Sequence, residues 1–129
     1  MEEFLKAELA RLNSPFPRER ISLAEALSSG RPGVPLTNGG FHPFRREELE
    51  LLASLVPEGE REGLRLPILL ALDPGLGRGA VRIRGGAEAR AVAALLGKKV
   101  EGEELVIYRP ELREVRRRLP TTTYYLFLP

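Results

Sequence analysis

Apolar residues recur at helical spacing near the start of the chain. Three leucines lie three or four positions apart, namely Leu5, Leu9 and Leu12. This spacing places them on one face of a helix, and the proline that follows ends the helix near Asn13. A second, short helix is predicted because Ser22 and Glu25 have the spacing of a capping box, and Gly30 stops it. We therefore predict a helical N-terminal segment over residues 1–30.

A hairpin and an amphipathic helix are predicted over residues 31–64. The stretch from Thr37 to Gly40 has the composition of a hairpin turn between two short strands, because asparagine and glycine tolerate positive φ. Farther on, apolar residues lie three and four positions apart at Leu49, Leu52, Ala53 and Val56. This pattern predicts a helix that ends before Pro57. Three acidic residues are predicted on its other, solvated faces: Glu47, Glu48 and Glu50.

Strands alternate with helices in the rest of the chain. The run from Ile68 to Leu72 is apolar at every position, so we predict a central strand that is covered on both faces. In residues 81–84, apolar positions alternate with Arg82 and Arg84, which predicts a half-exposed strand with both guanidinium groups on one face. The remaining elements are a helix over residues 87–96, a strand over 105–108, a helix over 110–119 and a strand over 121–128.

The order of these elements predicts the fold class. Helices and strands mix without strict alternation, so we predict an α+β fold with a single mixed or antiparallel sheet and helices packed mainly on one side. At 129 residues, the chain has the length of a single domain. Charge is unevenly distributed along the chain. Residues 1–64 carry 8 basic and 11 acidic groups, whereas the basic half, residues 65–129, carries 12 basic and 7 acidic groups. The two halves therefore favour different partners.

Composition narrows the class of protein. With 43% hydrophobic and 29% charged residues, the chain is globular in composition. The absence of cysteine excludes disulfides, zinc-thiolate sites and thiol nucleophiles, and we expect no metal or cofactor. An acidic start and short apolar runs predict a cytoplasmic protein that does not enter a membrane. The chain has no glutamine or tryptophan, two asparagines and one methionine, and this avoidance of labile residues is typical of thermophilic proteins.

Three segments resemble a known family. "NGGFHPFRREELELLASLVP", "LRLPILL" and "YRPELREVRRRLPTTTYYLF" occur here in the order and at the spacing of a family of small archaeal proteins, domain of unknown function number sixty-one. The resemblance extends from the first predicted helix to Phe127, and "LPTTT" is its most specific part. It implies an archaeal origin and a cytoplasmic setting, and it brings no catalytic residues.

Arginines form a stripe on the predicted helix over residues 110–119. At about 100° per residue, three apolar side chains occupy one arc, Leu112, Val115 and Leu119, and three basic ones the next, Arg113, Arg116 and Arg117. Arg109 extends the stripe if it continues the helix. Guanidinium groups in a row suit phosphates, because each donates two parallel hydrogen bonds. The alternative is a solvated helix whose arginines pair with glutamates near its carboxyl end.

Glycines give a second candidate site. The stretch from Asp73 to Ala89 is rich in glycine and arginine, but it lacks the spacing of the dinucleotide and triphosphate loops. Gly85 and Gly86 precede a predicted helix, with Arg84 beside them, and this is the better candidate for binding an anion. The alternative is that these glycines only form turns.

The remaining candidates are aromatic and hydroxyl side chains. Three tyrosines could stack on bases near the arginines, namely Tyr108, Tyr124 and Tyr125, although tyrosines in a terminal strand more often serve a core or a subunit interface. The single histidine, His42, could be a general base, but a packed loop residue is the simpler interpretation. Thr121, Thr122 and Thr123 could surround a ligand or simply begin a strand.

Three functions follow from these candidates. The leading hypothesis is a non-enzymatic binding module for RNA or another polyanion, which uses Arg113, Arg116 and Arg117 together with Arg82 and Arg84. The second is a homo-oligomer that pairs through a strand over residues 124–128. The third is an enzyme for a phosphorylated small molecule at Gly85, Gly86 and Arg84, and it ranks last because the sequence offers no nucleophile-base pair or metal cluster.

Overall fold

The structure is a computed structural model that describes residues 15–100 and 102–127. The first predicted helix lies outside these residues. Within them the helices are α1 (Leu23–Ser28), α2 (Arg46–Leu55), α3 (Gly86–Leu96) and α4 (Arg109–Arg118). The strands are β1 (Ile21–Ser22), β2 (Gly33–Pro35), β3 (Phe41–Pro43), β4 (Arg65–Leu66), β5 (Ile68–Leu72), β6 (Val81–Arg84), β7 (Glu104–Ile107) and β8 (Thr123–Phe127). Short 3₁₀ turns span Glu58–Glu60 and Pro74–Leu76.

These strands form three sheets. Four of them make the largest sheet in the order β7-β6-β5-β8, in which β5 and β8 are parallel and the other pairs antiparallel. The pairs β1–β4 and β2–β3 are separate and antiparallel. The α+β prediction is confirmed, but the prediction of a single sheet is wrong. Each strand of the β2–β3 hairpin contains a proline, Pro35 or Pro43, which lacks the amide needed to extend a sheet.

Local chemistry fixes the predicted turns. The Ser22 hydroxyl accepts a hydrogen bond from the Glu25 amide at 3.0 Å and so caps α1, as the capping-box spacing predicted. In the hairpin, the Asn38 side chain accepts from the Gly40 amide at 2.8 Å. Gly39 has a φ of 88°, which glycine adopts at little cost. The turn therefore forms where the sequence predicted it.

Strand β5 is the centre of the main core. Ile68 and Leu70 are fully buried among side chains from all four described helices, on what we call the core face of the four-stranded sheet. Leu69 points to the opposite, outer face and packs with a small cluster around Phe16 and Leu126. It stays half-buried, so the outer face is only partly covered and the prediction of a strand buried on both faces is wrong.

Candidate functional site

Helix α4 presents three exposed arginines on one side. It begins at Arg109, one residue earlier than predicted, and this places Arg109 in register with Arg113 and Arg116 at steps of four and three. The adjacent arc carries Leu112, Val115 and Leu119, which pack into the main core. Among the described residues, no carboxylate lies within 4.0 Å of these three guanidinium groups. We call Arg109, Arg113 and Arg116 the basic face of α4.

Arg117 lies beside the basic face but is already paired. It donates to both carboxylate oxygens of Glu114, at 3.2 and 2.6 Å. This hydrogen bond holds the pKa of Glu114 below its usual range. Arg118 lies 4.0 Å from the same carboxylate. Glu114 therefore offsets positive charge along one border of the basic face.

Arg82 and Arg84 do not join the basic face. Their strand alternates with Val81 and Ile83, which are buried on the core face, so both arginines project from the outer face, whereas α4 packs on the core face. Arg82 donates to Asp73 at 3.1 and 2.7 Å and also pairs with Glu104. The Arg82 hydrogen bonds hold the pKa of Asp73 below its usual range. Arg84 lies 3.7 Å from Glu104, so both arginines have acidic neighbours.

The start of α3, at Gly85 and Gly86, is filled by the protein's own carboxylate. Glu88 is only 5% exposed, and a Cβ added at Gly85 would lie 2.9 Å from its Oε1 atom. Burial raises the pKa of Glu88, with the nearby Arg20 guanidinium, 3.3 Å away, acting in the opposite direction. An external anion at this helix start would meet a negative group.

The three tyrosines have different surroundings. The Tyr124 hydroxyl donates to the Pro15 carbonyl at 2.7 Å, and burial raises the pKa of Tyr124. Tyr125 packs against the main core, with the Arg116 guanidinium 5.3 Å from its ring centroid. Tyr108 is 42% exposed. Of the three, Tyr108 presents the most accessible aromatic surface.

The threonine run binds a buried carboxylate. Glu48 is only 4% exposed, and its oxygens accept from the amides and hydroxyls of both Thr121 and Thr122 at 2.6 to 3.2 Å. The Nε2 atom of His42 lies 2.7 Å from the Thr121 carbonyl, and because a carbonyl only accepts, Nε2 carries the proton. His42 is therefore a half-buried residue of β3, not of a loop as predicted, and it holds the turn between α4 and β8.

Comparison with known proteins places this arrangement in a family. The family model described as "Protein of unknown function DUF61" matches residues 2–127. The chain belongs to the DUF61 family. The resemblance seen in the sequence is thereby confirmed.

Relatives and a solved structure agree with the DUF61 assignment. A UPF0216 protein of Pyrococcus horikoshii is 42% identical, and the match covers 99% of this chain and 96% of the relative. A UPF0216 protein of Methanothermobacter thermautotrophicus is 39% identical, and the match covers 98% of this chain and 93% of that relative. The solution structure of an archaeal DUF61 family protein, 20% identical, superposes with a TM-score of 0.75 over 91% of this chain and 77% of that chain. The relatives support an archaeal origin, and the solved structure shows a shared fold.

Two buried carboxylates of this DUF61 protein were not predicted. Glu48 was assigned to a solvated face of α2, which is wrong. It precedes Leu52 by four residues, a spacing that places it on the apolar side of the helix. Glu88 is the third residue of α3, a position from which a glutamate can reach back over the helix start. In both cases the position of the glutamate along its helix indicated that its side chain would be buried.

The described residues of this DUF61 protein contain neither a metal-binding cluster nor a membrane-spanning helix. Within residues 15–100 and 102–127, no three histidine, aspartate or glutamate side chains are grouped so that they could hold a metal ion. No helix in these ranges is long and apolar enough to cross a membrane.

Proposed function

We propose that this protein is a non-enzymatic binding module for RNA or another polyanion, and that it binds through the basic face of α4. The observation that carries the proposal is the set of three exposed arginines in helical register, with no carboxylate of the described residues within 4.0 Å of their guanidinium groups. Arg82, Arg84 and Arg117 have acidic neighbours and are left out of the proposed contact.

The geometry of the basic face suits a chain of phosphates. Arg109 and Arg116 are seven residues apart, so their Cα atoms are separated by about 10 Å along the helix axis. Arginines in a row can therefore contact successive phosphates rather than one, and each fork can donate two parallel hydrogen bonds. The surrounding half of the chain, residues 65–129, has an excess of basic groups that attracts a polyanion at long range.

The proposal predicts a defined dependence on salt. If three phosphates are contacted, the logarithm of the association constant should fall with the logarithm of salt concentration with a slope of about −2 on single strands. In R113A/R116A the slope should shrink to about −0.7, and binding at low salt should weaken accordingly. Fluorescence anisotropy of a labelled oligoribonucleotide, titrated at several salt concentrations, measures both quantities.

A charge-matched control separates the basic face from net charge. Arg18 and Arg65 are exposed and lie outside α4, so R18A/R65A removes the same formal charge elsewhere. This variant should keep the wild-type slope. Absence of binding at low salt would overturn the proposal, and so would equal affinities for the wild-type protein and R113A/R116A.

A further inference from the structure

Tyr108 occupies the N-cap position of α4 without capping it. Its backbone is extended, with φ −111° and ψ 175°, and its side chain makes no capping hydrogen bond. Serine, threonine, aspartate and asparagine are preferred at this position because their side-chain oxygens accept from the first amides of the helix. A tyrosine here gives up that stabilisation.

Burial does not explain Tyr108 either. At 42% exposure it is the one exposed large aromatic side chain among residues 15–100 and 102–126. Its hydroxyl has no hydrogen-bond partner within the same ranges. A residue that neither caps its helix nor packs in the core breaks a local rule without a gain in stability, and such positions are where functional sites are expected.

The neighbouring backbone leaves space for the side chain of Arg109, the residue that follows Tyr108. In the register of β6 and β7, Val81 pairs with Ile107, so the chain that follows Ile107 runs alongside Gly79. A Cβ added at Gly79 would lie 3.2 Å from the Nε atom of Arg109. Glycine therefore leaves room for the Arg109 side chain against the turn. Tyr108 and Arg109 are thus consecutive exposed residues at the start of α4, where the basic face begins.

We propose that the polyanion is a single-stranded RNA, with one base stacked on Tyr108 and the adjoining phosphates on Arg109 and Arg113. The inference rests on the proposed function and specifies its ligand. Stacking requires an unpaired base, because the face of a base within a duplex is covered by its neighbours. Aromatic side chains beside arginines bind single strands in this way with little sequence preference.

Replacing Tyr108 with serine should weaken RNA binding without lowering the melting temperature. Y108S provides a side-chain oxygen at the N-cap, so its melting temperature should equal or exceed that of the wild-type protein. Its affinity for an oligouridine should be about 10-fold weaker, the size of one lost base-aromatic stack. Anisotropy titration and thermal unfolding of the full chain supply the two values. Unchanged affinity for oligouridine in Y108S would overturn the inference.

Additional ligands distinguish this inference from the proposed function. Y108S should bind inorganic polyphosphate as the wild-type protein does, with the same salt slope, whereas R113A/R116A should lose affinity for both polymers. Y108F keeps the ring and should bind oligouridine normally. The stacking role of Tyr108 is wrong if wild-type protein binds duplex RNA as tightly as oligouridine. It is also wrong if Y108S weakens polyphosphate binding as much as it weakens oligouridine binding. Either result leaves the proposed binding through the basic face unaffected. If neither polymer binds wild-type protein, the proposed function itself fails.

Discussion

Replacing Glu48 with alanine is expected to lower the free energy of unfolding by about 3–5 kcal/mol. The carboxylate is buried and accepts five hydrogen-bond contacts from Thr121 and Thr122. Its removal leaves two backbone amides and two hydroxyls without their acceptor, and Thr122 is fully buried. Each buried donor that loses its partner costs about 1–3 kcal/mol. Urea unfolding of wild-type and E48A protein measures the difference.

Two variants test whether the acceptor itself is responsible. Glu47 is exposed on the same helix, so E47A should change stability by less than about 0.5 kcal/mol. In E48Q one oxygen becomes an NH₂ group that faces donors, so this variant should lose more stability than E47A despite its matched shape. A loss in E48A no larger than that in E47A would show that the threonine run is held by other contacts.

The Glu48 contact bears on the proposed function through the position of α4. Thr121 and Thr122 follow the last turn of that helix, and the Thr123 hydroxyl donates to the Leu119 carbonyl at 2.6 Å. The turn between α4 and β8 is thus tied at one end to α2 and at the other to the helix that carries the arginines. The LPTTT motif accordingly has a structural role that needs no ligand, since Glu48 occupies its donors.

Local elements were predictable because their signals are local. The turn at Asn38 and Gly39, the cap at Ser22 and helix α2 each depend on residues within a few positions of one another, and all three form as predicted. The hydrogen-bond partners of Glu48 could not be predicted from local sequence in the same way. They lie 73 and 74 residues away, and only the packing of α2 against the α4–β8 turn brings them together.

The candidate site was likewise predicted where its signals are local, and not where it depends on long-range pairing. Angular spacing alone placed Arg113 and Arg116 on one exposed side of α4, because the helix and its buried face follow from the apolar positions. The pairing of Arg82 with Asp73 and Glu104 depends on strand register, which the alternation of residues in β6 does not contain. The alternation of residues in β6 also does not predict that α4 packs on the core face of the sheet while Arg82 projects from the outer face. Long-range topology therefore decided which arginines are available.

Replacing Arg20 with alanine is expected to cost about 3–5 kcal/mol at neutral pH, because it leaves the buried Glu88 carboxylate without its ion-pair partner. Arg20 contacts Glu88 Oε1 at 3.3 Å, and its side chain is 16% exposed against 6% for Glu88. It also donates to the carbonyls of Pro67 and Arg65 at 3.2 and 3.3 Å. The guanidinium therefore ties the start of β5 to the beginning of α3. Urea unfolding at pH 7 measures the loss.

The loss in R20A should shrink as the pH falls. Burial already raises the pKa of Glu88 above its ordinary value near 4.5, and Arg20 opposes that rise, so without Arg20 the pKa rises farther. A carboxyl group with a raised folded-state pKa favours the folded protein below its unfolded pKa, and this contribution is lost as the pH rises through the folded pKa. Protonated Glu88 needs no cation, so R20A should approach wild-type stability towards pH 4. Adding E88Q should remove that pH dependence, and a loss that is constant from pH 4 to 7 would instead assign the effect of Arg20 to its carbonyl contacts.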